Sequence, residues 1–191
     1  FSDSAIPRAL TLPQPGVYNL RNAALAIAAA GKVGVREEDA VSALRTFPGV
    51  KRRFTCHYRS GGDRAILIED YAHHPTELRC LMETLADRWP RHRRVVVFQP
   101  HRFERVKRYG EEFAGILSGA DHAVVTAPFA AWVADAERAC PQDIADGVEG
   151  AEAMYWDGAD APLAERLVRD AVAAGTPGRS SPWDGTVFAV V

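Results

Sequence analysis

The chain has 191 residues, of which 47% are hydrophobic and 25% charged, and its formal net charge is −2. The length fits one domain, or one domain plus a short piece of a neighbour, and the composition excludes a disordered or fibrous protein. No apolar run could span a bilayer, and the slightly acidic balance argues against a general nucleic-acid binder. Three widely spaced cysteines, Cys56, Cys80 and Cys140, form neither a disulfide framework nor a zinc motif, which favours a reducing cytoplasm.

The first third of the chain predicts two helices and a hairpin. Residues 19–31 are alanine-rich and end at Gly31, and a second helix is expected over 36–46. Two strand-like runs, 53–59 and 65–71, then flank Gly61 and Gly62, which predicts a β-hairpin.

The rest of the chain predicts alternating helices and strands. A helix opening at Pro75 and another following residue 102 each carry one apolar face, formed respectively by Leu78, Leu81, Met82, Leu85 and Trp89, and by Val106, Tyr109, Phe113, Ile116 and Leu117. Strands are expected at 94–98, 122–128 and 186–191, and a further helix at 162–175. Repeated strand–helix units predict an α/β fold with a Rossmann-like, mostly parallel sheet and helices on both faces.

Two polar corners mark where chemistry is expected. In open parallel sheets, ligands bind beyond the carboxyl ends of the strands, at helix amino termini. Here "DYAHHP" follows one strand and "FQPHRFER" follows the next. Cations at a helix start oppose the macrodipole, yet the second corner places four there, Arg102, Arg105, Lys107 and Arg108. A carboxylate or phosphate bound between them would reverse that cost, so the pattern predicts an anion site.

Structural readings of the same residues stay open. Pro75, Thr76 and Glu77 fit ordinary helix capping, and paired histidines in a loop are often only solvated. The arginine-rich turn could be a solvated face, and Asn19 and Asn22 could cap a helix. A protein metal site is not expected, because adjacent residues of an extended segment point apart and no further histidine lies at helical spacing. Cys56 and His57 are interpreted as strand residues without chemistry.

Five stretches occur together and in order: "GVYNLRNAALAIAAA", "GVKRRF", "IEDYAHHPTEL", "FQPHRFERV" and "GADHAVVT". Together they resemble the carboxyl-terminal part of the Mur ligases, over about residues 12–128, and most closely the branch that adds L-alanine to UDP-N-acetylmuramate. The resemblance implies that residues 1–48 end a central ATPase domain and that residues 49–191 form the amino-acid-binding domain. A recycling ligase that attaches a tripeptide to UDP-N-acetylmuramate is the alternative, and a catalytically degenerate binding module is a third reading.

The resemblance also implies an activity, cofactors and partners. Mur ligases join an amino acid to a carboxylate that ATP has activated, during peptidoglycan synthesis in the cytoplasm. We therefore expect ATP and Mg²⁺, held mainly by the central domain, the substrates UDP-N-acetylmuramate and L-alanine, and contacts with the remaining domains of the same ligase. No nucleic-acid or membrane partner is implied. Because this sequence has no G-x-x-x-x-G-K-[ST] loop, the chain by itself is not expected to hydrolyse ATP.

By the same resemblance, five residues would contact the nucleotide. Arg53 would reach the γ-phosphate, where a planar guanidinium can bind two oxygens, and Asp70 would face the nucleotide. Tyr18, Asn19 and Asn22 correspond to the family pattern that touches adenine. The family usually has histidine where this chain has Tyr18.

Five further residues would bind the amino acid. Tyr71 and His73 would line the place where the amine meets the acyl phosphate. Arg102 and Arg105, with His101 nearby, would hold the carboxylate of L-alanine. The resemblance thus implies three catalytic residues, Arg53, Asp70 and His73, and no protein metal ligand.

Overall fold

The computed structural model describes residues 10–129, 140–156, 166, 169 and 185–191. The chain divides into two compact units, Phe1–Phe54 and Thr55–Val191. The domain limits predicted from the sequence, 1–48 and 49–191, stay a prediction.

Residues 10–54 of the first unit form two helices. Helix α1 spans Val17–Lys32 and helix α2 spans Glu37–Arg45, close to the two helices predicted there. Helix α2 begins with three acidic residues and ends with Arg45, which matches its dipole at both ends.

The second unit is an α/β sheet, as the sequence predicts. Its helices are α3 Pro75–Arg88, α4 Phe103–Leu117 and α5 Gln142–Asp146; its strands are β1 Thr55–Arg59, β2 Ala65–Glu69, β3 Arg93–Phe98, β4 His122–Thr126, β5 Glu152–Trp156 and β6 Thr186–Val190. The strand order is β1-β2-β6-β3-β4-β5. Among the described strands, the β1–β2 hairpin is antiparallel and the other four pairings are parallel.

The core lies on both faces of the central strands. Strands β2, β3 and β6 are almost wholly buried, as expected for parallel strands covered by helices. The predicted apolar face of the α3 segment is buried at all five positions. On α4, Val106, Phe113 and Leu117 are buried as predicted, whereas Tyr109 and Ile116 are half-buried.

Three features differ from the prediction or fall outside it. Strand β5 and helix α5 were not predicted, because each has only five residues and shows no clear periodicity. Strand β6 pairs between β2 and β3, an order that depends on contacts distant in sequence. The helix predicted over 162–175 lies outside the described residues, except for Arg166 and Arg169. Within the described ranges, no helix combines the length and apolarity that crossing a membrane requires.

Candidate functional site

The two polar corners flank strand β6. After β2, the backbone N–H of Asp70 donates to the carbonyl of Val190 at 2.9 Å. After β3, the N–H of Gln99 donates to the carbonyl of Val191 at 2.8 Å. Both corners are therefore held at the same edge of the sheet, where the carboxyl ends of the parallel strands meet. The Asp70 side chain is buried there, with only 4% of its surface exposed.

Helix α3 carries its own cap. One carboxylate oxygen of Glu77 accepts from the backbone N–H groups of His73, at 3.1 Å, and His74, at 3.2 Å. Nδ1 of His74 accepts from the N–H of Thr76 at 3.2 Å, and Pro75 occupies the first helical position. The capping interpretation of Pro75, Thr76 and Glu77 is therefore confirmed, and the N-cap residue itself is His74, for which no capping role was predicted. His74 also packs edge-on against Tyr109, with ring centroids 5.1 Å apart.

Helix α4 starts differently. Its N-cap residue, Arg102, makes no side-chain capping hydrogen bond and has φ 71° and ψ 132°. Its carbonyl accepts from the N–H of Arg105, at 3.1 Å, and of Val106, at 3.3 Å. A non-glycine residue with this φ is strained. The positive end of α4 is thus left without a cap from Arg102, although Glu104 adds one acidic group in the first turn.

Three aromatic rings join the two corners into one cluster. The ring of His73 lies 4.7 Å from that of Tyr71 and 5.7 Å from that of His101, and the rings of Tyr71 and His101 are 6.2 Å apart. Nη1 of Arg105 donates to the carbonyl of His73 at 3.5 Å. The structure therefore brings Tyr71, His73, His101 and Arg105 together. The Arg102 side chain is exposed at the rim.

The two clustered histidines differ in their hydrogen bonds. Nδ1 of His73 lies 2.8 Å from the carbonyl of Tyr71, and because a carbonyl only accepts, this nitrogen carries the proton. In neutral His73, Nε2 is then the acceptor. Nδ1 of His101, in contrast, is buried without a hydrogen-bond partner in the described part of the chain.

The charge state of His101 is set by its surroundings. Burial lowers the pKa of its imidazole, and the neighbouring His73, Arg105 and Arg102 lower it further. All four effects disfavour the charged ring, so the pKa of His101 lies below its ordinary value.

One residue of this cluster, Phe129, was not predicted from the sequence. It follows β4, and its ring stacks on His101 with centroids 5.2 Å apart and 26° between the planes. Its position just after a third parallel strand was the available signal, since that strand ends at the same edge of the sheet.

The four candidate residues before Thr55 lie in the first unit. The Asn19 side-chain amide donates to the carbonyl of Pro15 at 2.6 Å, while Asn22 is exposed; neither is the N-cap of α1, which is Gly16. The capping interpretation of these asparagines is therefore wrong. Tyr18 is half-buried in the first turn of the helix.

Arg53 lies in a strained turn. The residues on either side of it, Arg52 and Phe54, have φ 58° and 51°. Its N–H donates to the carbonyl of Val50 at 3.1 Å. Non-glycine residues in the left-handed region persist where surrounding structure enforces them, which is common at ligand sites.

The described residues offer few ligands for a divalent metal. Within them, no three side chains of His, Cys, Asp or Glu lie close enough together to hold an ion. Asp70 supplies one buried carboxylate at the corner.

Fold and corner geometry together define an α/β domain that gathers histidine, tyrosine and arginine side chains at the carboxyl edge of its sheet, on either side of β6. The family model described as "Mur ligase, glutamate ligase domain" matches residues 52–180, and the chain belongs to this family.

Named relatives agree with that membership. The chain is 40% identical over 131 residues to the UDP-N-acetylmuramate–L-alanine ligase of Bordetella petrii, a match covering 65% of this chain and 28% of that protein. The crystal structure of the UDP-N-acetylmuramate-alanine ligase of Thermotoga maritima matches with a TM-score of 0.69 and 30% identity, over 95% of this chain and 36% of that one. A murein peptide ligase from Psychrobacter arcticus, at 19% identity and a TM-score of 0.63 over 95% of this chain and 35% of that one, shares the fold. The chain spans about a third of such relatives.

Proposed function

We propose that this chain is the carboxyl-terminal portion of an ATP-dependent UDP-N-acetylmuramate:L-alanine ligase of peptidoglycan synthesis, and that it binds L-alanine. The observation that carries the proposal is the Arg105–His73 contact at 3.5 Å, which joins the corners after β2 and β3 beside the start of α4. Family membership and the names of the relatives support the same conclusion.

In this proposal, the carboxylate of L-alanine binds at the start of α4. Arg102 and Arg105 supply positive charge there, and no capping bond from Arg102 competes for the exposed helix end. Charge-assisted bonds from guanidinium groups are roughly twice as strong as neutral ones. The contact of Arg105 with the His73 carbonyl fixes that side chain near the place where the amine must lie.

The amine of L-alanine would then face Tyr71 and His73. With its Nδ1–H bonded to the Tyr71 carbonyl, neutral His73 offers Nε2 as a proton acceptor. An ammonium group is not nucleophilic until it loses a proton, so an acceptor beside it prepares the amine for attack. This assigns His73 a catalytic role and Tyr71 a role in enclosing the substrate.

ATP, when bound, would activate the carboxylate of UDP-N-acetylmuramate as an acyl phosphate, from which the amine displaces phosphate. We assign the phosphate contact to Arg53, in its strained turn, the nucleotide-facing carboxylate to Asp70, and the adenine contacts to Tyr18, Asn19 and Asn22. The match of "GVYNLRN" and "GVKRRF" to the family pattern supports these assignments. Mg²⁺ and most nucleotide contacts are left to the central domain.

Phosphate release by the full-length protein tests this function. With ATP and UDP-N-acetylmuramate present, release should require L-alanine, and the cell-wall tripeptide should not replace it. Release with the tripeptide but not with alanine would instead identify a recycling ligase. A folded protein inactive with both would indicate a degenerate binding module, the reading that Tyr18 in place of histidine favours.

A further inference from the structure

The side chain of Phe129 is exposed, but its backbone is held in place by two hydrogen bonds. It is 55% exposed, yet both of its backbone groups are fixed to the second corner. Its N–H donates to the carbonyl of Pro100 at 2.9 Å, and its carbonyl accepts from the N–H of Arg102 at 3.1 Å. These two bonds place its ring against one face of His101, at 5.2 Å. Strand β4 and helix α4 therefore locate Phe129 relative to the imidazole through backbone contacts.

The orientation of the His101 ring decides which nitrogen is protonated. Nδ1 is enclosed and has no partner in the described part of the chain. A proton on Nδ1 would be a buried donor without an acceptor, an arrangement that folded proteins rarely contain. This disfavours the Nδ1–H tautomer of the neutral ring and favours the Nε2–H tautomer.

The groups around His101 oppose a second proton. His73 and Tyr71 face it from the corner after β2, and Arg102 and Arg105 face it from α4. The described residues after β4, Ala127 to Phe129, contribute no titratable side chain. Two cations and a further histidine thus surround a partly buried ring, which favours its neutral form.

We propose that Phe129 is a positioning residue that holds His101 with Nδ1 inward, so that His101 acts as a neutral Nε2–H donor to the carboxylate of the incoming amino acid. The proposal rests on the proposed function for the identity of the ligand. It gives the two clustered histidines opposite tautomers and separate tasks: His73 accepts a proton at Nε2, and His101 donates a hydrogen bond from Nε2. His101 is then excluded as the base that deprotonates the amine.

Nitrogen NMR of the ¹⁵N-histidine-labelled full-length protein tests the positioning without requiring turnover. The expected spectrum at neutral pH shows His101 as the Nε2–H tautomer and His73 as the Nδ1–H tautomer. Phe129→Ala should give averaged tautomers at His101, Phe129→Tyr should retain the single form, and Met154→Ala, at another exposed apolar residue, should change nothing. An Nδ1–H tautomer at His101 in the unsubstituted protein, or an unchanged His101 in Phe129→Ala, would overturn the proposal.

Kinetics of two His101 variants test the donor role. The amide nitrogen of glutamine reaches about as far as Nε2, whereas that of asparagine reaches only as far as Nδ1. His101→Asn should raise KM for L-alanine by about tenfold or more, whereas His101→Gln, whose amide still reaches the carboxylate, should raise it by only about threefold. Equal losses in the two variants would contradict the donor role. If the protein shows no alanine-dependent turnover, the proposed function fails, while the NMR result still decides the positioning.

Discussion

The backbone of Arg102 adopts a conformation that favours glycine, with φ 71°. Folding alone gives no reason to keep an arginine there, since strain of this kind costs about 1–3 kcal/mol. The residue also places a cation at the positive end of α4. Both costs are offset if the guanidinium binds an anion, which is the role that the proposed function gives it.

The strain at Arg102 predicts a trade-off between stability and binding. Arg102→Gly should be more stable than Arg102→Ala by about 1 kcal/mol, because glycine adopts the positive φ without a Cβ clash. Both variants should raise KM for L-alanine to a similar extent, since both lose the guanidinium. Urea unfolding compares their stabilities, and equal unfolding free energies would show that the Arg102 backbone is not strained.

The depressed pKa of His101 predicts a pH effect on stability. In the unfolded chain His101 titrates near its ordinary value of 6.5, while in the folded protein its pKa is lower. As pH falls below 6.5, the unfolded state therefore takes up a proton before the folded state does, and the folded protein loses stability. Between about pH 7.5 and about pH 5.5, the free energy of unfolding should fall more for the unsubstituted protein than for His101→Gln. Urea unfolding of both proteins at the two pH values measures these decreases. Identical decreases would contradict the assigned shift.

At the scale of elements, the two helices that start at this edge of the sheet differ in how their first turns are capped. Helix α3 satisfies its own first turn through Glu77, and helix α4 lacks a side-chain cap from its N-cap residue. Sequence alone identified both helices but not this difference. Capping at α3 depends on which backbone groups Glu77 reaches, and the cap position of α4 depends on the φ of Arg102, which no sequence pattern specifies.

The cap of α3 predicts a measurable stability cost. Glu77→Ala should lower the free energy of unfolding by about 1 kcal/mol, because two N–H groups lose their acceptor. Glu77→Gln, which keeps an acceptor oxygen, should cost less. The matched control is Glu83→Ala, at an exposed acidic position of the same helix, which should change stability by no more than about 0.5 kcal/mol in urea unfolding. Equal effects at Glu77 and Glu83 would show that the cap contributes nothing.

At the scale of the whole molecule, long periodic segments were the predictable part. The apolar face of α3 and the apolar run of β3 could be predicted. Burial on one face of a helix gives a periodic pattern, and burial on both faces of a strand gives a continuous apolar run. The insertion of β6 between β2 and β3 could not be predicted from the sequence. This pairing sets the distance between the two corners. Phe129 was missed for a related reason: it reaches His101 only after β4 has paired beside β3.

The chain spans only about a third of its relatives, so the proposed reaction is tested in the full-length protein. In the proposed function, this chain contributes a carboxylate site shared between the corners after β2 and β3. Arg105 is its most diagnostic member, because its guanidinium contacts the other corner directly. Lys107, an exposed cation on the same helix, provides the matched control.

The most direct test is KM for L-alanine in the full-length protein carrying Arg105→Ala or Lys107→Ala. A lost charge-assisted bond predicts an increase of about 10- to 100-fold for Arg105→Ala, with Lys107→Ala within about twofold of the unsubstituted protein. An unchanged KM in Arg105→Ala, or equal increases in both variants, would contradict a carboxylate site at the start of α4.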